Sequence, residues 1–329
     1  MSNLSSKKKA ILVTGGAGFI ANNLIKKLLI SCKDKIIAVD NFKLGKIENV
    51  VENNQVDFFK IDLSSKKEVK KFFGDIQKKY VIEEIWHLAA NSDIPAGIKN
   101  AEVDFNDTFL TTFNIINFVD SDFLQKFHFA SSSAIYGDHG SVKIKEDTAP
   151  LFPISNYGSF KLASEGVLSA FVEKNNCYLY VYRFPNVVGT PATHGVIFDF
   201  ISRLKLNPSE LKVFGNGRQK KQYMHVSDLI EAMLIVRKNS DQKRNVFNIG
   251  SLDEGIEVSE IAKLAISRNF KNAIITFGEE GRGWIGDIPK YQYSVDKLLS
   301  LNWIPKYPSS KSAVEKAIKD ISIQLKISD

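Results

Sequence analysis

The first half of the chain alternates short apolar runs with longer amphipathic stretches. Apolar runs of strand length lie at residues 10–13, 35–39, 56–61, 84–88 and 127–131. The stretches between them carry apolar residues at helical spacing, as Ile20, Leu24 and Leu28 do. Strands that alternate with helices predict βαβ units and a parallel sheet covered on both faces. We therefore predict an α/β fold with a Rossmann-type, doubly wound parallel sheet.

The pattern changes in the second half. A helix is predicted after Ser155 and a buried strand over 177–184, but beyond Pro185 glycine, proline and asparagine interrupt the rhythm. This change predicts a Rossmann domain over residues 1–184 and a smaller mixed α/β carboxy-terminal domain over 185–329. A helix at 226–236 and a strand at 246–249 indicate that segments near 224–250 return to the first domain.

A glycine-rich run, TGGAGFIA at residues 14–21, lies between the first predicted strand and the first predicted helix. Gly15 allows a tight turn, and Gly18 lets the backbone approach a pyrophosphate at the helix amino terminus. Phe19 and Ile20 begin that helix. The run GRGWIG at 281–286 has the same glycine spacing, but Pro289 follows too soon for a phosphate-binding helix. Only the first run predicts a dinucleotide site.

Acidic residues end the second and third predicted strands. Asp40, followed by Asn41, stands where a carboxylate accepts hydrogen bonds from the adenosine ribose. A carboxylate there repels a 2′-phosphate, which favours NAD over NADP, although Lys43 and Lys46 lie nearby. Asp62 either caps a turn or contacts adenine.

Other residues at strand ends belong to the same predicted cofactor site. Leu63 follows Asp62, and the small residues after the fourth strand let the backbone pass close to a cofactor; they are Leu88, Ala89 and Ala90. His87, just before them, is interpreted as a packed strand histidine rather than a ligand.

Tyr157 and Lys161 are four residues apart and therefore share one face of a helix. A tyrosine has a pKa of about 10, so it needs a nearby cation to act as a base near neutral pH. Ser132, at the end of the fifth strand, can relay a proton to the same substrate oxygen. The same spacing recurs at Tyr293 and Tyr307, so it is the order of strand end, serine and tyrosine that predicts the catalytic site.

Charge and composition mainly indicate which partners the protein does not have. The net charge is +7, but the lysines are scattered in pairs without interleaved aromatic residues, so we expect no nucleic-acid partner. No apolar run reaches the roughly 18 residues of a membrane span, and no signal peptide is evident, so a cytoplasmic protein without a membrane partner is expected. Two isolated cysteines give no metal-binding pattern, and we predict no metal.

The motifs TGGAGFIA, VDN, HLAA, SSSAIYG, YGSFK and RFPNVVG occur in this order. With them the chain resembles the extended short-chain dehydrogenases/reductases, specifically the NAD-dependent nucleotide-sugar epimerase/dehydratase family, over nearly its whole length. The resemblance implies NAD as cofactor, a nucleotide-diphosphate sugar as substrate and a homodimer. It also implies that Ser132, Tyr157 and Lys161 are catalytic, and that Asn106 or Thr108 takes the place of an asparagine near the tyrosine.

The resemblance also makes the carboxy-terminal domain the substrate-binding domain. It implies that Asn186 and Val196 contact the diphosphate and sugar of the substrate and that Val213 and Phe214 contact the base. Lys221 and Arg282 are expected to bind phosphate. Ser132 and Tyr291 are the other expected substrate-binding residues. Tyr291 falls where bulk limits room for a 2-N-acetyl group, which favours UDP-glucose and UDP-galactose.

Dehydratases of this family use acidic residues just after the catalytic serine or threonine, whereas this chain has Ser133 and Ala134. An epimerase needs one base and no second acid. The sequence therefore predicts NAD-dependent epimerisation at C4 of a UDP-glucose/UDP-galactose type sugar through a transient 4-keto intermediate. The alternatives are a reductase, dehydrogenase or dehydratase of the same family; a non-catalytic NAD-binding protein is disfavoured by the intact catalytic residues.

Overall fold

The computed structural model describes residues 7–140, 142–279 and 293–327. Its strands are β1 (Lys8–Thr14), β2 (Lys35–Asp40), β3 (Val56–Lys60), β4 (Tyr80–His87), β5 (Lys126–Ala130), β6 (Tyr178–Arg183), β7 (Asn186–Val188), β8 (Glu210–Val213), β9 (Lys220–Lys221), β10 (Tyr223–His225), β11 (Arg244–Asn248), β12 (Ile256–Glu257) and β13 (Ile274–Phe277).

The helices are α1 (Phe19–Ser31), α2 (Lys66–Lys79), α3 (Ile94–Lys99), α4 (Ala101–Asp104), α5 (Thr111–Phe118), α6 (Asn156–Lys174), α7 (Val196–Leu206), α8 (Val226–Asn239), α9 (Val258–Asn269), α10 (Asp296–Leu299) and α11 (Ser310–Gln324). A π-helical segment, Phe105–Leu110, joins α4 to α5. Among the helices of the described residues, none is long and apolar enough to cross a membrane.

Seven strands form one parallel sheet in the order β11-β6-β5-β4-β1-β2-β3. The direction of the order reverses between β1 and β4, which is the point where doubly wound sheets bind ligands at the carboxyl ends of their strands. The predicted α/β fold class is confirmed. The predicted strand over 246–249 overlaps β11, which lies at the edge of this sheet beside β6.

On one face of this sheet, apolar side chains form a core with residues of α2, α5 and α6. Strand residues such as Leu12, Ile37 and Phe129 pack with Val69 and Phe73 of α2. The lysine-rich α2 is capped by Ser65, whose side chain accepts a hydrogen bond from the N–H of Glu68. A helix with one apolar stripe buries that stripe on the sheet and leaves its charges in solvent, which places the lysines of α2 at the surface.

The chain divides into two compact units. The first contains the residues up to Ile135, Phe152–Arg183 and Val236–Phe247; the second contains Tyr136–Leu151, Phe184–Ile235 and the chain from Asn248 onward. Within its described residues, the second unit holds three two-stranded sheets, β7 with β10, β9 with β12 and β8 with β13, beside a core contributed largely by α7, α9 and α11. It includes 136–151, which the predicted division at residue 185 assigns to the first domain.

Candidate active site

The glycine-rich loop leaves β1 at the point where the strand order reverses. Gly15 has a φ of +70°, and a Cβ at this position would lie 3.1 Å from the backbone nitrogen of Ala89. Gly18 precedes α1 without any side-chain cap, and its carbonyl accepts the N–H of Asn22 at 3.0 Å. The N–H groups at the start of a helix have no partner within the helix, so this uncapped end can receive a pyrophosphate.

A directed chain of hydrogen bonds supports this loop from β4. The Thr14 hydroxyl accepts the N–H groups of Leu88 and Ala89 at 3.1 and 3.0 Å, so its own proton is donated to His87 Nδ1 at 2.8 Å. His87 Nε2 then carries the ring proton and donates to Thr112 at 2.9 Å. Burial, followed by the charge of Lys161, lowers the pKa of His87 to about 3. His87 is thus packed in the strand, as the sequence predicts, and its lowered pKa keeps it neutral.

Asp40 ends β2 beside the loop. Its two carboxylate oxygens accept the N–H groups of Ala17 and Phe42 at 3.1 and 2.7 Å. Burial raises the pKa of Asp40, and these backbone hydrogen bonds oppose that shift. The carboxylate therefore holds the loop that follows β1 and still has acceptor capacity for ribose hydroxyls.

The residues that follow β2 and β3 form local hydrogen bonds and an ion pair. Asp62 accepts both the N–H and the hydroxyl of Ser64 at 3.0 and 2.7 Å, which is the turn-capping arrangement, and Asn41 accepts the N–H of Lys43. Lys43 Nζ bonds Asp107 at 2.7 Å. The side chain of Leu63 is buried in the core. The Lys43 ammonium is thus paired with a carboxylate of this chain.

Helix α6 presents the predicted catalytic tyrosine. The helix begins after Ser155, whose side chain accepts the N–H of Gly158 at 3.1 Å. Gly158 packs so closely on the backbone oxygen of Ala134 that a Cβ there would overlap it. Ser132 Oγ accepts the N–H of Ala134 at 3.1 Å, and it lies close enough to the Tyr157 hydroxyl for hydrogen bonding to lower the pKa of Tyr157. The close approach of the helix to the segment after β5 thus brings Ser132 and Tyr157 together.

Lys161 lies one turn further along the same helix. Its side chain is 2% exposed, and Nζ donates to the carbonyl of Ala130 at 2.6 Å. The ammonium lies 4.8 Å from the centre of the Phe129 ring and 5.7 Å from the centre of the Tyr157 ring. The three predicted catalytic side chains, Ser132, Tyr157 and Lys161, therefore form one cluster.

Burial governs the electrostatics of this cluster. It raises the pKa of Tyr157 to about 12, while the hydrogen bond from Ser132 opposes the rise. It also lowers the pKa of Lys161 to about 7, against the attraction of Glu165 and Asp104. The sequence predicts that the pKa of Tyr157 is lowered by the nearby lysine. In the structure the pKa is raised instead, because desolvation penalises the phenolate. Positive charge close to the phenol therefore decides whether it ionises.

Residues 11–250 match the model of the NAD dependent epimerase/dehydratase family. The chain belongs to this family. A crystal structure of a UDP-galactose 4-epimerase superposes with a TM-score of 0.82 and 31% identity, covering 96% of this chain and 99% of that one. NAD is accordingly the cofactor.

Two curated relatives are described as enzymes that catalyse different reactions. A Methanocaldococcus jannaschii protein described as a candidate UDP-glucose 4-epimerase is 29% identical over 90% of this chain and 93% of its own length. The mouse dTDP-D-glucose 4,6-dehydratase is 27% identical over 91% of this chain and 85% of its own. The chain is thus similar to both an epimerase and a dehydratase.

The residues of the first unit fit NAD. The uncapped start of α1, with Gly15 and Gly18 before it, suits a pyrophosphate, and Asp40 suits a ribose. No group of three His, Cys, Asp or Glu residues in the described part of the chain is placed to hold a metal ion.

Two buried polar groups beside the cluster were not predicted. Glu165, four residues after Lys161 on α6, accepts a hydrogen bond from Ser131 and pairs with Arg183 through two nitrogens. The i, i+4 spacing from Lys161 is a signal that points to Glu165. Asp104, at the end of α4, has no such signal, because only the fold brings α4 beside α6.

The predicted substrate residues within the described chain lie in the second unit, apart from Ser132. Asn186 is exposed at the start of β7, and Val196 is the first residue of α7. Phe214 is 71% exposed with Arg203 above its ring, whereas the Val213 side chain is buried in the core. Lys221 lies in β9. Arg282 and Tyr291 lie outside the described residues.

Proposed function

We propose that this family member is an NAD-dependent 4-epimerase of a nucleotide sugar of the UDP-glucose/UDP-galactose type. The observation that carries the proposal is the cluster of Ser132, Tyr157 and Lys161, which contains one acid–base group for a substrate hydroxyl. The two residues after Ser132 are Ser133 and Ala134, so the acidic pair associated with dehydration is absent from these positions. One base and no second acid suit epimerisation.

The chain's own residues supply proton transfer and positioning. Tyr157 accepts the proton of the C4 hydroxyl, and Ser132 hydrogen-bonds the same oxygen. Lys161 stabilises the phenolate through its positive charge. When bound, NAD would supply the hydride acceptor for oxidation at C4 and the hydride donor for reduction of the ketone. Between these two events the 4-keto sugar presents its other face, and Tyr157 returns the proton to the C4 oxygen, so the cofactor is unchanged after each turnover.

For the substrate we propose the contacts that the resemblance implies. The start of α7 at Val196 follows Gly195, which has a φ of +100° and provides no capping side chain, so its backbone N–H groups suit a diphosphate. Asn186 and Lys221 are proposed for the sugar and phosphate, and exposed Phe214 for stacking on the base. Arg282 and Tyr291 are proposed for the phosphate and for discrimination against a 2-N-acetyl group.

The competing reactions predict different products. A dehydratase would release water and a 4-keto-6-deoxy sugar, and the similarity to the mouse dTDP-D-glucose dehydratase is the reason to test for it. A reductase or dehydrogenase would change the amount of NADH with each turnover. An epimerase changes neither the composition of the sugar nor the amount of NADH.

Replacement of Tyr157 tests the proposed mechanism. We expect Tyr157→Phe to lower turnover of UDP-galactose by roughly 10²–10⁴-fold, the usual contribution of a positioned acid–base group. Exposed Tyr178 in β6 provides the matched control, and Tyr178→Phe should retain full turnover. Full turnover by Tyr157→Phe would exclude this mechanism. Mass spectrometry of small molecules released from the purified protein should detect NAD rather than NADP.

We also propose that the chain forms a homodimer through the helices of its first unit. Phe105 and Phe113 are 40% and 43% exposed, and their rings join those of Phe109 and Phe160 in one aromatic face. A continuous exposed aromatic face is typical of an interaction surface. The family resemblance makes a second copy of this chain the expected partner.

A further inference from the structure

Asp104 is a buried carboxylate with only one partner among the described residues. It is 1% exposed, and its Oδ1 accepts a hydrogen bond from Asn91 Nδ2 at 2.7 Å. Its Oδ2 is also buried and has no hydrogen-bond donor in the described part of the chain. It lies against Gly97 of α3 so closely that a Cβ at this glycine would overlap it. The fold thus makes room for a carboxylate that no described cation contacts.

A residue that contacts Asp104 also contacts α6, the helix that carries Tyr157 and Lys161. The Gly97 carbonyl accepts a hydrogen bond from Asn156 Nδ2 at 2.9 Å, and Asn156 is the first residue of α6. Asp104 interacts electrostatically with both Tyr157 and Lys161. Asp104 is thus connected through Gly97 to the first residue of α6, and its charge acts on both members of the catalytic pair.

Glu165 also faces Lys161, but its charge is compensated. Arg183 Nε and Nη2 donate to its two oxygens at 3.1 and 2.7 Å. A bidentate guanidinium–carboxylate pair is close to neutral when viewed from outside. Asp104 is hydrogen-bonded to the neutral Asn91 instead, so its field at Lys161 is the less compensated of the two.

We propose that Asp104 is a positioning residue that acts through Lys161: it provides the counter-charge that keeps the buried ammonium protonated and sets the pH range in which the Tyr157–Lys161 pair works. This proposal rests on the proposed function only in taking that pair as the acid–base machinery. Burial favours the neutral form of Lys161, and a nearby carboxylate opposes this effect by stabilising the ammonium.

The sign of the effect follows from the charges that face the pair. Lys161 is faced by Glu165, Asp104, Tyr157 and neutral His87, while Asp104 itself is near Asp93 and Asp107. The Asp104 carboxylate favours the ammonium and disfavours the phenolate, so it makes both members of the pair hold their protons more tightly. Without it, both protons leave at lower pH.

The first test compares pH profiles of UDP-galactose turnover for the wild-type protein and Asp104→Asn, which keeps the shape and the bond from Asn91. We expect both limbs of the profile to move to lower pH, by roughly half a pH unit or more. Glu102→Gln, which removes an exposed carboxylate from the same helix, should leave both limbs in place. Reduced turnover with unmoved limbs would show a merely structural role and overturn the proposal.

The second test does not depend on the substrate. In protein purified with its bound cofactor and labelled with ¹³C at lysine Cε, the Lys161 signal is identified by its loss in Lys161→Met. We expect its titration midpoint to fall in Asp104→Asn and, if that variant is unstable, in Asp104→Ser. An unchanged midpoint overturns the proposal. A lowered midpoint without turnover of UDP-galactose would support it and count against the proposed substrate.

Discussion

At the residue scale, Asp40 combines a structural and a binding role. Its two oxygens accept the N–H groups of Ala17 and Phe42, so an asparagine can satisfy only one of them and turns its own N–H₂ toward the other. We expect Asp40→Asn to destabilise the fold by about 1–3 kcal/mol and to reduce the NAD retained on purification. Urea unfolding and the NAD content per chain measure both effects.

Asp75→Asn is the control for Asp40, because Asp75 lies on α2 with a side chain that is 61% exposed. It should change neither stability nor NAD content. Unchanged NAD content in Asp40→Asn would contradict the assignment of this carboxylate to the ribose.

The site residues differ in how far the sequence determines them. Tyr157 and Lys161 could be predicted because they share one helix face and follow a strand that ends in a serine, whereas the spacing alone recurs elsewhere in the chain. Asp40 could be predicted because it ends a strand of the doubly wound pattern. Asp104 could not, since its significance comes from Gly97 and Asn91, which only the packing of α3 and α4 brings to it. Likewise, the direction of the Tyr157 pKa shift depends on burial, which has no local sequence signal.

At the scale of elements, α6 contains two glycines in opposite environments. Gly158 is buried against the Ala134 carbonyl, whereas Gly166 is exposed, with no atom within 4 Å of the position that a Cβ would occupy. Because glycine costs roughly 0.5–1 kcal/mol in a helix interior, Gly166→Ala should stabilise the protein by about that amount. Gly158→Ala should destabilise it and lower turnover, because the added Cβ pushes α6 away from Ser132.

Thermal unfolding and turnover of the two alanine variants test this contrast within one helix. Equal effects of Gly158→Ala and Gly166→Ala on stability would show that the contact between α6 and the segment after β5 is not tight. Retained turnover in Gly158→Ala would show that the Ser132–Tyr157 arrangement tolerates a shift of the helix.

The elements also show which sequence patterns are informative. The buried strands and amphipathic helices of the first half have long, regular patterns, and β1, β2 and α2 appear where those patterns predict them. The three-residue strands β7 and β10 are too short for any periodicity. The π-helical segment Phe105–Leu110 is likewise marked by no periodicity or composition of its own.

At the scale of the whole molecule, the aromatic face around Phe113 predicts the state of assembly. We expect light scattering after size exclusion to show a dimer for the wild-type chain and a monomer for Phe113→Asp, since a charge at a buried apolar contact lacks a partner. Ile30→Asp is the control, because Ile30 is 84% exposed on α1. A wild-type monomer, or a dimer that persists in Phe113→Asp, would contradict this interface.

The proposed function depends on one claim, that the reaction inverts C4 and leaves the cofactor unchanged. The most direct measurement is chromatography of nucleotide sugars after incubating the purified protein with UDP-galactose and no added cofactor. We predict that UDP-glucose forms until a constant ratio is reached, that the same ratio is approached from UDP-glucose, and that no NADH accumulates. A 4-keto-6-deoxy product, NADH formed in proportion to turnover, or unchanged UDP-galactose would contradict it.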